Sequence, residues 1–76
     1  MIVYSESDWL HDVQDCINDL TSNDFTLDDV YQFEPRLAAL HPDNHNIRAK
    51  IRQQLQVLRD MGYIRFLDRG HYQKCI

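Results

Sequence analysis

From His45 to Gln56 the chain carries Asn, Gln, Arg and Lys side chains around a single alanine, spaced so that a helix would gather them. At about 100° per residue, a helix starting at Asn46 turns Ala49, Gln53 and Gln56 to one side, with His45, Asn46 and Arg52 near its leading end. The amides of Asn46, Gln53 and Gln56 pair a donor with an acceptor, as the N6/N7 edge of adenine requires. Arg52 can fork onto guanine O6 and N7, and Ala49 leaves room for a methyl group. Arg48 and Lys50 flank this face, where they can reach bordering phosphates. Farther on, Arg69, His71 and Lys74 fall on a strand-turn-strand pattern suited to gripping backbone or minor groove. The chemistry expected is binding to double-stranded DNA.

Other chemistries find less support. His11, His41, His45 and His71 are accompanied by no CxxC and by no HxxxH joined to a cysteine pair, so each is read as a surface or turn histidine and no metal is expected. Asp8, Asp12, Asp15 and Asp19 repeat on the polar side of a helical pattern, which reads as a solvated, mutually repelling face rather than a catalytic pair. Neither a nucleophile motif nor a phosphate-cradling glycine loop occurs. No catalytic residue or cofactor is expected, and the chain is read as not an enzyme by itself. Cys16 falls at an apolar helical position and Cys75 at the end of the chain, so a disulfide is not expected.

A formal net charge of −4 argues against DNA until the charges are located. Glu6, Asp8, Asp12, Asp15, Asp19, Asp24, Asp28, Asp29 and Glu34 precede any Lys or Arg. From Asn44 onward, Arg48, Lys50, Arg52, Arg59, Arg65, Arg69 and Lys74 face only Asp60 and Asp68. The second half is the phosphate-facing candidate and the first half should point away. A polar helix face is ordinarily only a solvated one. Here the concentration of bases, the cap-forming residues at the helix start and the Arg-Gly turn that follows favour a groove reader.

These residues need a frame. Seventy-six residues make one domain, read as spanning 1–76, that buries around 60% of its unfolded surface. No stretch approaches the ~20 apolar residues of a membrane span, and no basic-then-apolar leader opens the chain, so the cytoplasm is the expected location. After a possible strand at Ile2-Val3-Tyr4, Ser5 and Asp8 read as a capping box. They open a helix whose stripe is Trp9, Val13, Cys16 or Ile17, and Leu20, widened by Leu10 and ended by residues 21–24. A short extended piece at Phe25 leads to Thr26 as a second N-cap with Asp29 three residues later, and Leu27, Val30 and Tyr31 supply the buried face. Pro35 breaks this helix and can open a second piece through Leu37 and Leu40, and residues 41–44 turn. Asn46 as N-cap and Gly62 as C′ bound a helix with the core stripe Ile47, Ile51, Leu55 and Leu58. Residues 63–75 read as a β-hairpin turning at Asp68-Arg69-Gly70. Trp9, Phe25, Tyr31 and Phe33 are read as core or near-core aromatics, and Tyr63 and Tyr72 as hairpin residues. The fold class is α+β, mainly α: a winged helix-turn-helix of three helices, the second broken near Pro35, with a C-terminal hairpin wing.

The segment NHNIRAKIRQQLQVLRDMGYIRFLDRGHY, with LHPDN before it, resembles the C-terminal winged-helix domain of the DpnI and Dam-replacing-protein family of methyl-directed restriction endonucleases, most strongly from Phe25 through Tyr72. The resemblance implies recognition of N6-methyladenine in GATC methylated on both strands, through the major groove. It also implies a separate nuclease domain that cuts. No PD-(D/E)xK-like arrangement occurs in these residues, so cleavage is not carried over. What carries over is the matching helix, Asn46, Arg48, Ala49, Lys50, Arg52 and Gln53, with Arg69 on the wing. His45 stands where the family pattern has Asn, and a histidine there can still donate to phosphate or base.

Three functions remain in view. The first is a methylation-specific DNA-binding module, expected to act as a monomer although one asymmetric domain contacts the halves of a two-fold site differently. The second is the excised specificity domain of a methyl-directed restriction endonuclease, with a nuclease domain as its partner in the full protein. The third is a winged helix used for protein association, which predicts no salt-dependent affinity for DNA and no effect of mutating Arg52.

Overall fold

The computed structural model describes residues 6–75. Seven elements follow in order: α1 Glu6–Asp19, β1 Asp24–Thr26, α2 Leu27–Tyr31, α3 Glu34–Leu40, α4 Ile47–Asp60, β2 Ile64–Asp68 and β3 His71–Lys74. The three strands form an antiparallel sheet in the order β1-β3-β2. This is the winged helix-turn-helix architecture, mainly helical, with the expected second helix present as the separate pieces α2 and α3. The expected strand at Ile2-Val3-Tyr4 and the capping serine Ser5 lie outside the described residues.

The core is the apolar stripe of each helix closed over one face of the sheet. Trp9, Val13, Cys16 and Ile17 come from α1, Ile47, Ile51, Leu55 and Leu58 from α4, and Phe25, Ile64 and Tyr72 from the strands. Cys16 and Ile17 are both buried, so the stripe of α1 is wider than one position per turn. Each fully buried aliphatic side chain contributes about 1.5–3 kcal/mol relative to exposure, which outweighs the weak intrinsic preference of 14-residue helices for order in water.

Local chemistry sets the ends of the elements. Thr26 and Asp29 form a reciprocal capping box, in which the Asp29 N–H donates to the Thr26 hydroxyl (3.2 Å) and the Thr26 N–H to the Asp29 carboxylate (2.8 Å). Pro35 sits in the first turn of α3, where its missing N–H costs nothing. At the end of α4, Gly62 has φ +80°, its N–H reaches the Arg59 carbonyl, and the Tyr63 N–H reaches that of Leu58. This pair of hydrogen bonds closes the helix and sends the chain into β2. The Cys16 thiol is pushed up to about 11, chiefly by burial, and both cysteines are free thiols.

Three features depart from the sequence reading. Asn46 stands at the N-cap, but its side chain makes no cap hydrogen bond. Its backbone lies at φ −136°, ψ 64°, and its N–H donates to the Asn44 side chain at 2.7 Å, so the turn rather than the cap organises the entry to α4. His41 belongs to the turn after α3 but is not a surface residue. Its ring is 8% exposed, stacks on Trp9 with centroids 3.9 Å apart, and sets Nε2 2.5 Å from the Asp12 carboxylate. Asp12 on α1 is thereby spent on an interaction instead of only being solvated. Gln54 is also buried, because it lies between the apolar positions of α4 rather than opposite them.

Candidate nucleic-acid interface

The stripe that anchors α4 also decides what α4 shows to solvent. With Ile47, Ile51, Gln54, Leu55 and Leu58 inward, His45, Asn46, Arg48, Arg52, Gln53 and Gln56 are exposed, and Ala49 and Lys50 are half-buried. The amides of Gln53 and Gln56 and the Ala49 methyl therefore share one outward strip, with Arg48 and Lys50 on opposite flanks. Lys50 Nζ donates to Gln53 Oε1 at 3.1 Å, which pre-orients one amide of the strip.

The arginines occupy the flank turned toward α2 and the wing, and most of their partners are aromatic. The Arg48 guanidinium lies 4.7 Å from the centroid of the Tyr31 ring, while the Tyr31 hydroxyl accepts from Arg52 at 2.8 Å. Farther along, Arg59 lies 4.7 Å from the Phe66 ring, which meets Tyr72 edge-on at 4.8 Å. Burial raises the Tyr72 phenol above the ordinary tyrosine range, Tyr31 adds to the rise and Arg52 opposes it. Flat guanidiniums resting on rings keep their charge while losing rotamer freedom, and an arginine held in this way loses less entropy when it takes a phosphate or a base. The sequence places Tyr31 near the core, counts Arg59 only among the bases of the second half and assigns Phe66 no role. The signal available was the i, i+4 spacing of Arg48 and Arg52 along one flank.

The wing is short. Asp68 pairs with His71 across Arg69 and Gly70, and Gly70 takes φ +68°, which no side chain favours. A register shift between Phe66 and Asp68 leaves Leu67 as a bulge, exposed beside the turn. The tip does not float, since the Gly70 carbonyl accepts from the Leu27 N–H at the start of α2 at 2.9 Å. Arg69 is exposed at this tip and half-buried His71 lies next to it on β3, opposite Thr26. Lys74 does not join them. It sits at the root of the hairpin, where its ammonium donates to the Leu20 carbonyl beyond α1 at 2.6 Å.

Packed against α4, α1 exposes Asp8, Asp15 and Asp19 and carries no basic residue in its last turn. Asp19 is paired with Arg36 of α3 at 2.5 Å. Among the described residues no group of histidine, cysteine and carboxylate side chains could hold a metal ion, and no helix is long and apolar enough to cross a membrane.

A basic helix that presents amides and arginines, followed by an anchored wing, is the geometry of a groove-reading domain. Residues 5–74 match the family described as the Dam-replacing HTH domain. The chain belongs to that family. It is therefore a DNA-binding domain of the helix-turn-helix class, as the resemblance implied. In this Dam-replacing HTH domain the helix-turn-helix is α3, the turn at residues 41–46 and α4, and the buried His41 pins that turn to α1.

Proposed function

We propose that this domain reads N6-methyladenine in GATC methylated on both strands, with α4 in the major groove and the Arg69 tip of the wing on the backbone. The supporting observation is the outward strip of α4, where the small Ala49 lies among the polar side chains of Asn46, Arg52 and Gln53. N6-methyladenine keeps one N–H and adds an apolar group in the groove. A reader must therefore offer one acceptor beside a small dry space. Asn46 or Gln53 supplies the acceptor, and Ala49 with the aliphatic stems around it supplies the space. The methyl groups of the two strands lie close together in GATC, so one helix senses both as a monomer. The chain itself cuts nothing. Within a longer protein it would be the specificity part of a methyl-directed restriction endonuclease whose nuclease domain lies elsewhere.

The test is a titration with unmethylated, hemimethylated and fully methylated GATC duplexes at two salt concentrations. Burying two methyl groups at about 0.8 kcal/mol each favours the fully methylated duplex by about fifteenfold, with the hemimethylated one between. This preference should persist at the higher salt while all three affinities fall together. Equal binding to all three duplexes overturns the methyl reading.

A further inference from the structure

The reading helix carries one arginine that already has an anionic partner on another element. Arg48 Nε donates to Glu34 Oε1 at 3.0 Å, and both side chains remain open to solvent, with exposures of 59% and 37%. Glu34 is the first residue of α3, placed there by the break that Phe33 and Pro35 impose on the second helix. An unbroken helix would carry position 34 along another path. The Tyr31 ring packs against the same guanidinium while its hydroxyl accepts from Arg52, so Glu34 acts on an arginine already seated on an aromatic ring.

We infer that Glu34 is a specificity-determining residue: its carboxylate occupies Arg48 in place of a DNA phosphate and so suppresses binding that depends on backbone attraction alone. This rests on α4 being the DNA-facing helix, and it does not depend on which bases α4 reads. An exposed ion pair is weak enough for a phosphate to displace it. Displacement nevertheless leaves the carboxylate beside the phosphate. When α4 is seated on its site, the other contacts of the helix hold the phosphate at Arg48 against that repulsion. On DNA without the site nothing does, so Arg48 stays with Glu34 and contributes no counterion release. The carboxylate thus widens the gap between specific and non-specific binding by weakening the latter.

The experiment compares wild type, E34Q, R48Q and the double variant on a duplex lacking GATC and on a fully methylated GATC duplex, across a salt series. Removing the carboxylate should tighten binding to the duplex lacking GATC by about two- to fivefold and steepen its log-log salt dependence by about 0.9, the release expected for one further phosphate contact. The gain on methylated GATC should be smaller, so discrimination falls. In the R48Q background the gain should vanish. Unchanged or weaker binding by E34Q overturns the inference. So does an equal gain with and without Arg48, which would mean that Glu34 merely repels DNA at a distance. Failure of the methylation preference in wild type would leave this comparison standing, because it is read on DNA without the methylated site.

Discussion

Helices α1 and α4 are both 14 residues long, both amphipathic and packed against each other, yet they differ in almost every exposed charge. Among the described side chains α1 exposes Asp8, Asp15 and Asp19, whereas α4 exposes Arg48, Arg52 and Arg59 with the single acid Asp60 at its end. The apolar stripes make the two helices equivalent partners in one core. The charges divide the surface into a face that attracts phosphate and a face that repels it. Partners differ as well. The acids of α1 meet partners from the second helical region and the turn after it, Asp12 with the His41 ring and Asp19 with Arg36, and these tie the scaffold together. Two of the α4 arginines rest on aromatic rings as well as meeting a carboxylate, Arg48 on Tyr31 beside Glu34 and Arg59 on Phe66 beside Asp60, and both stay open to solvent. A net charge of −4 for the whole chain conceals this division, and only the placement of the charges predicts a partner.

If the core is shared while the surface is divided, truncating either stripe should cost the same kind of energy. Ile17→Ala on α1 and Leu55→Ala on α4 remove side chains that are both fully buried. Each should lower stability by about 2–5 kcal/mol, which for a domain of this size lowers the melting temperature by roughly 10 °C or more. Thermal melting followed by circular dichroism checks both. A large loss for Leu55→Ala with almost none for Ile17→Ala would show that α1 is an accessory to the fold and break the equivalence.

The surface half of the comparison is sharpened by Arg52→Ala. Arg52 is exposed and its hydrogen bond to Tyr31 is at the surface, so stability should change by no more than about 0.5 kcal/mol. If Arg52 contacts a base as proposed, DNA affinity should fall by about 1–3 kcal/mol, five- to 150-fold. Fluorescence anisotropy with a labelled duplex measures it. Unchanged affinity would favour a role in protein association.

What could be read in advance followed the strength of the local signal. The stripe of Ile47, Ile51, Leu55 and Leu58, the stop at Gly62, the capping box at Thr26 and the break at Pro35 each depend on residues within a few positions of one another, and all are present. The same holds for the exposed strip of α4, which is the complement of its stripe. Several of the misses are long-range. Nothing near His41 announces that it will stack on Trp9 and meet Asp12, 29 positions away. Tyr31 was legible as an aromatic of the second helix, but its hydroxyl contact to Arg52 spans 21 positions. Lys74 looked like part of the wing because it lies in the hairpin, and only the sheet register shows that it returns to the root beside Leu20. Gln54 carries no such signal, because the helical stripe is marked by apolar residues and this polar one is turned inward with them.

The smallest expected effect tests the acidic face itself. Asp8 and Asp15 are exposed on α1, the helix that packs behind α4. Replacing both with asparagine removes two negative charges without touching the core or the Asp12 and Asp19 pairs. If this face points away from DNA, its carboxylates act only through the long-range field, which is screened over about 8 Å at physiological ionic strength. The double variant should therefore bind DNA less than threefold tighter at low salt, mainly through a faster association rate, and indistinguishably from wild type at about 0.15 M. Stopped-flow association at the two salt concentrations separates the outcomes. A tenfold gain that survives added salt would mean that α1 lies against the duplex. The division of the surface drawn from α1 and α4 would then be wrong, even though both helices share one core.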